Sequence, residues 1–461
     1  MAKKQQFDYD VIVIGSGASG STAALIAANA GKKVALVESE TFGGETPNWG
    51  DVPSKTLLHV ATLYDEARHS GRFGIRANML SYNYPSIQRW KDRVVERTGA
   101  GGNEKYYKQQ GIHTIRGIAR FLTPNEITVN RKHISAERFV IATGSHISRP
   151  AISGIDAIDY LTPKSTLQLN HPPHSVVVIG GTQSGVEIAQ LLATFGTKVY
   201  IIEQSSRLLP EEDEEVGDTL SRLFKHDKGM TILTQTTVLN LAKKGVGGVQ
   251  VHYVRGGVER RFYVDRVIVA TTPDPTVDLG LENAHVEYTP AGIDVNDHLQ
   301  TSARHIYAIG HVLGRGEPTH VAFMEGRVAA NNILHPRSLL KPDYSLIPRA
   351  MFIYPGVASV GLTEDDCLKR DLKVNKALVP LSMITRSNTS DFRDGFVKLI
   401  SDKKGVLIGG VVVAPHAGEI IQELTVAIKH KLTATELAET PHVFLSWNEA
   451  VRLAANKLAR K

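Results

Sequence analysis

The stretch Val11-Ile12-Val13-Ile14-Gly15-Ser16-Gly17-Ala18-Ser19-Gly20 runs an aliphatic strand straight into a glycine-rich turn. Small residues continue as a helical pattern, and KVALVE, from Lys33 to Glu38, supplies a second strand. Strand, helix and strand within about 30 residues make a βαβ unit. Gly15, Gly17 and Gly20 take the G-x-G-x-x-G positions. There one glycine makes the turn, one admits a pyrophosphate to the backbone, and one lets helix and strand pack closely. Glu38 closes the unit where a carboxylate can accept ribose hydroxyls, which favours a dinucleotide site over a bare tight turn.

The same grammar returns between Ser175 and Glu203 as VVVIGG, TQSGVEIAQLLATFG and KVYIIE. A duplicated unit is hard to obtain by coincidence. Here Gly180 and Gly185 keep the fingerprint, Thr182 stands at its middle glycine, and Glu203 ends the second strand. A side chain at the middle position weakens the case for a bound nicotinamide nucleotide. Glu203 suits the free ribose of NADH better than a 2′-phosphate, so NADH is expected ahead of NADPH. Two further strands, RFVIATG (Arg138 to Gly144) and RVIVATT (Arg266 to Thr272), read as crossings between domains. From Ile347 onward, strand-like FVKLI and VLIGGVVVA precede helical GEIIQELTVAIKHK and NEAVRLAANKLA, a separate α+β region.

At 461 residues the chain needs more than one core. The fold class is α/β: two nested Rossmann-like domains and a C-terminal α+β domain. The expected boundaries are 1–150 with 271–345, an insertion at 151–270, and 346–461. Hydrophobic residues at 42% and charged residues at 22% are ordinary globular usage. The formal charge of +6 is dispersed rather than blocked, which argues against nucleic acid as a partner. No stretch approaches a membrane span. A single cysteine, Cys367, rules out an intramolecular disulfide and suits a reducing cytoplasm. It lies in the polar run TEDDCLKR and reads as part of an exposed helix.

After Glu38 comes GGETPNWGDVPSK, Gly43 to Lys55. This segment resembles the active-site sequence GGTCxNxGCxPSK of the pyridine nucleotide-disulfide oxidoreductases, the family of glutathione reductase, lipoamide dehydrogenase and mercuric reductase. Gly43, Gly44, Asn48, Gly50, Pro53, Ser54 and Lys55 keep the frame, while Thr46 and Asp51 stand at the two cysteine positions. HVAFMEGRVAANNI, YPGVASVGLTE and APHAGEIIQE resemble later landmarks of the family in the expected order, so the likeness spans nearly the whole chain. It implies bound FAD, held by Gly15, Gly17, Gly20, Glu38, Gly43, Gly44, Thr143, Gly144, Gly310 and His311. It also implies a homodimer, and NADH bound through Gly180, Gly185, Glu187 and Glu203. Lys55 is expected to pair with Glu187 beside flavin N5, against the plainer alternative of a structural ion pair.

The departures from the family are concentrated where disulfide chemistry happens. A thiolate and a base are both needed to reduce a disulfide. The family's base, the second histidine of HxHPTxxE, is matched here by Phe444 in HVFLSWNE, leaving Glu449 without its usual partner. His442, two residues away, reads as a solvated surface histidine. His311 replaces the aspartate that holds the ribityl chain, and Thr272-Pro273 replaces Gly-Arg. Asp51 either binds or protonates an acceptor beside the flavin, or raises the energy of the anionic reduced flavin, or caps the helix that starts near Pro53. The expected activity is therefore transfer of electrons from NADH through FAD to a small non-disulfide acceptor: a quinone, a dye, oxygen or a second nicotinamide. The alternative is a flavin-binding protein with a structural or sensory role.

Overall fold

The computed structural model describes residues 6–77, 79–98, 104–147, 149–245, 247–316 and 318–460. The described parts of 1–56, 86–149 and 272–343 form one compact unit, and those of 57–85, 150–271 and 344–461 form a second.

In the first unit, strand β1 (Tyr9–Ile14), helix α1 (Ala18–Asn29) and strand β2 (Val34–Glu38) build the leading βαβ. Val11, Ile12 and Val13 and all of β2 are buried, as a strand covered on both faces requires. Helix α2, Asp51–His69, follows and ends in the second unit. Strand β3 (His113–Arg116) lies parallel to β2 at the sheet's edge. The end of β4 (Lys132–Ile141) lies parallel to β1 and to the returning strand Ile306–Ala308. The fingerprint turn thus emerges between β1 and β4, where the strand ends leave a crevice in this kind of sheet.

The second unit repeats the plan. Strand β5 (Ser175–Ile179), helix α3 (Gln183–Thr194), strand β6 (Lys198–Ile202), strand β7 (Thr231–Leu233) and strand β8 (Arg266–Val269) give the parallel order β7-β6-β5-β8. A five-stranded antiparallel sheet follows in the C-terminal part, covered by helices Ala417–Lys429 and Glu449–Ala459. This is the expected α/β fold with an α+β region. Among the described residues no helix is long and apolar enough to cross a membrane.

Candidate active site

The two turns share one backbone solution. At Gly15 φ is +99°, and a Cβ there would lie 2.2 Å from the Ala142 carbonyl oxygen. At Gly180 φ is +113°, and a Cβ would lie 2.4 Å from the Ala270 carbonyl oxygen. Each turn is pressed against the strand that returns beside it, which only glycine permits. Glu38 Oε2 accepts hydrogen bonds from the Ser16 amide at 3.0 Å and the Ser16 hydroxyl at 2.6 Å. Glu203 Oε2 likewise accepts from the Gly181 amide at 2.6 Å. Both acids brace their own turns.

The cofactor-sized difference lies at the middle position. Gly17 is the N-cap of α1, and a Cβ there would find open space within 4 Å. Free backbone and a helix start next to a carboxylate fit the pyrophosphate and ribose of FAD. Thr182 is the N-cap of α3, accepting from the Gly185 amide at 3.3 Å and donating to the Ala270 carbonyl at 2.8 Å. Its hydroxyl thus consumes a helix-start amide that Gly17 leaves available. Arg207, downstream of Glu203, is engaged by Asp365 at 2.7 Å and by two backbone carbonyls.

The loop that follows β2 is fastened to the first turn. Ser16 Oγ accepts from the Gly43 amide at 2.8 Å, and Asn48 Nδ2 donates to the carbonyls of Phe42 and Gly44. The loop therefore leads into the short helix Glu45–Asn48, which carries Thr46, and on to Asp51 at the start of α2. On the other side, the Thr143 hydroxyl donates to the Thr276 carbonyl, and the Gly144 carbonyl accepts from the Thr276 amide. Ser145 Oγ and His311 Nδ1 are 3.4 Å apart. The Gly310 amide donates to Glu325 Oε2 at 2.5 Å, and that accepting carboxylate is buried. Tyr107, packed on Phe42, has its phenol pushed up to about 12 by burial.

The two positions where the resemblance expects cysteines meet in one polar cluster. Helix α2 starts at Asp51 itself, so Asp51 is a first-turn residue and not the cap of a helix starting near Pro53. Its Oδ1 lies 3.2 Å from Lys55 Nζ, one turn along, and its Oδ2 accepts from the Thr319 hydroxyl at 2.7 Å. Thr319 Oγ1 is in turn 3.5 Å from Thr46 Oγ1. Glu187, buried in the second unit, has Gln183 Nε2 at 3.4 Å and the Phe352 amide at 3.5 Å. Thr319 and Glu325 were invisible to sequence reasoning as site residues; their only signal was that they flank and fill the landmark HVAFMEGRVAANNI.

Two further expectations are corrected. Cys367 is buried at 1% exposure, not on an exposed face, and burial pushes its thiol up. His442 is no solvated surface histidine: its side chain is 4% exposed, with Nε2 2.6 Å from Glu423 Oε1 and Nδ1 2.7 Å from the Thr440 carbonyl. Glu423 is supplied by a helix nineteen residues earlier, out of view of local pattern. Phe444 is exposed, and Glu449 accepts from the Leu445 amide at 3.2 Å in place of a histidine.

Comparison with known proteins agrees with this geometry. A family model described as pyridine nucleotide-disulphide oxidoreductase matches residues 9–326, and the model of that family's dimerisation domain matches 347–455. The chain is 33% identical to a mercuric reductase of Bacillus cereus, over 97% of this chain and 71% of that protein. It is also 33% identical to a dihydrolipoyl dehydrogenase of Bacillus subtilis, over 97% of each. The solved structure of the HOCl-induced flavoprotein disulfide reductase RclA from Escherichia coli superimposes with a TM-score of 0.86 at 25% identity, covering 97% of this chain and 99% of that one.

Proposed function

The chain belongs to the pyridine nucleotide-disulphide oxidoreductase family, and we propose that within it the chain is an NADH-dependent FAD oxidoreductase that delivers electrons to a non-disulfide acceptor. That family is FAD-binding and uses NAD(P)H, and the dimerisation domain supports a homodimer. The observation that carries the proposal is the cluster at the two replaced cysteine positions. Thr46 and Asp51 are hydrogen-bonded through Thr319, and the chain's one cysteine is buried elsewhere. Neither hydroxyl nor carboxylate can form and break a disulfide. FAD, when bound, supplies hydride acceptance from the nicotinamide and release of the electrons to a quinone, dye, oxygen or second nicotinamide.

The chain's own residues have separable tasks in this scheme. Gly15, Gly17, Gly20 and Glu38 receive the cofactor's pyrophosphate and ribose, with Gly43 and Gly44 closing over the turn. Lys55 places a cation where negative charge accumulates on the flavin. Gly180, Gly185 and Glu203 form the nicotinamide nucleotide site, its amide donors reduced by Thr182. Residues 151–270 would then carry that site, and 346–461 the dimer contact.

Anaerobic addition of NADH to the purified protein tests this directly. Fast bleaching of the flavin band, with colour restored by a benzoquinone but not by lipoamide, is the expected result. An unresponsive flavin would favour the binding role, and restoration by lipoamide would refute the non-disulfide acceptor.

A further inference from the structure

We propose that Asp51 is a positioning residue for Lys55 that holds down the reduction potential of the bound flavin. This rests on the assignment of Lys55 to the flavin site made above, and extends it to the carboxylate that stands at one of the two replaced cysteine positions. Three observations carry it. Asp51 and Lys55 lie one turn apart at the start of α2, with Oδ1 and Nζ 3.2 Å apart. The second carboxylate oxygen is fixed by the Thr319 hydroxyl at 2.7 Å, at the start of helix Thr319–Leu334. The Thr46 hydroxyl, from the short helix Glu45–Asn48, buttresses Thr319 at 3.5 Å.

A carboxylate has no hydrogen to give, so Thr319 must donate and Asp51 must accept. Asp51 is therefore held from outside α2, and Lys55 is steered toward it. An ammonium beside the isoalloxazine stabilises the negative charge gained on reduction. A carboxylate touching that ammonium cancels part of the effect, so the oxidised flavin is favoured and the reduced flavin is the stronger donor. The pair is open to water, with side chains 22% exposed at Lys55 and 47% at Asp51, which limits the size of the effect.

The test is the midpoint potential of the FAD-loaded enzyme, measured by equilibration with a reference dye and a reductant other than NADH. Asp51→Asn and Asp51→Ser remove the charge, while Asp51→Glu keeps it. The neutral variants are expected to favour reduced flavin by roughly three- to tenfold, a rise of about 15 to 30 mV for a two-electron couple. The rise should shrink in 1 M salt, where screening acts within about 3 Å, and Asp51→Glu should stay near wild type. A purely structural role would not track charge and salt in this way. Unchanged or lowered potentials in both neutral variants, at full flavin content, overturn the proposal. A wild type that binds FAD but ignores NADH defeats the proposed function while leaving the potentials to decide this point. A wild type that takes up no FAD overturns both.

Discussion

Alanine at Gly15 and at Gly180 should separate the two nucleotide sites. At Gly15 the new Cβ would sit 2.2 Å from the Ala142 oxygen, and at Gly180 2.4 Å from the Ala270 oxygen. Neither carbonyl is free to retreat. The Ala142 amide is bonded to the Ile14 carbonyl at 2.7 Å and the Ala270 amide to the Ile179 carbonyl at 2.9 Å, so each strand end moves only if its sheet pairing is broken. An alanine forced to φ near +100° costs about 1–3 kcal/mol, and the overpacking costs a similar amount, on the order of 2–6 kcal/mol together. That is a large share of the roughly 5–15 kcal/mol that stabilises a typical native protein. The cost falls on the crevice that should hold each nucleotide. Gly15→Ala is expected to purify with little flavin, judged by the ratio of absorbance at the flavin band to that of the protein. Gly180→Ala is expected to keep its flavin and lose most of its anaerobic response to NADH. Two variants that retain flavin and respond to NADH like wild type would refute the assignment of these turns. So would flavin loss from the Gly180 variant alone.

Lys398 is 2% exposed at its side chain and faces Asp213 at 3.1 Å, Glu215 at 2.7 Å, and Glu364. Lys398→Met strands these carboxylates and should cost about 3–5 kcal/mol in urea unfolding at neutral pH; a loss below about 1 kcal/mol would contradict the cluster. The same cluster sets an acid limit. Burial pushes the Glu364 carboxyl up, but hydrogen bonds from Lys376 and Lys398 outweigh it and hold the group below its ordinary range. A depressed folded value adds stability above the unfolded glutamate range, near pH 4.3, which is lost as pH falls through the folded value. Unfolding midpoints should therefore drop below about pH 4.3 in wild type and less steeply in Lys398→Met. A flat wild-type profile over that window would count against it. Cys367, buried and with its thiol pushed up, should resist an aromatic disulfide reagent in the native protein and react once unfolded. Rapid stoichiometric labelling of the native state would contradict its placement.

What could be read in the sequence was what backbone geometry imposes on residue type. Gly15 and Gly180 announce their turns because any Cβ there would overlap a neighbouring carbonyl. The aliphatic runs of β1 and β5 announce a buried parallel sheet for a similar reason. Partners brought in by tertiary contact could not be read. Thr319 reaches Asp51 across 268 positions, and Glu325 reaches the Gly310 amide from a separate helix 15 residues on. The run around Cys367 misleads because its charges are not simply solvated. Thr363 and Asp366 close a capping box, and Glu364 belongs to the buried Lys398 cluster, which turns Cys367 inward. His442 misleads likewise, since only the remote Glu423 explains its burial. Asp51 and Thr46 were recognisable as replacements, but their joining through Thr319 was not.

Counting electrons is the sharpest check on a flavin enzyme that works without sulfur. Anaerobic titration of the FAD-loaded protein should end at two electrons per flavin, with no long-wavelength band from a thiolate lying against the ring. Uptake of four electrons per flavin would reveal a second redox centre and contradict this account.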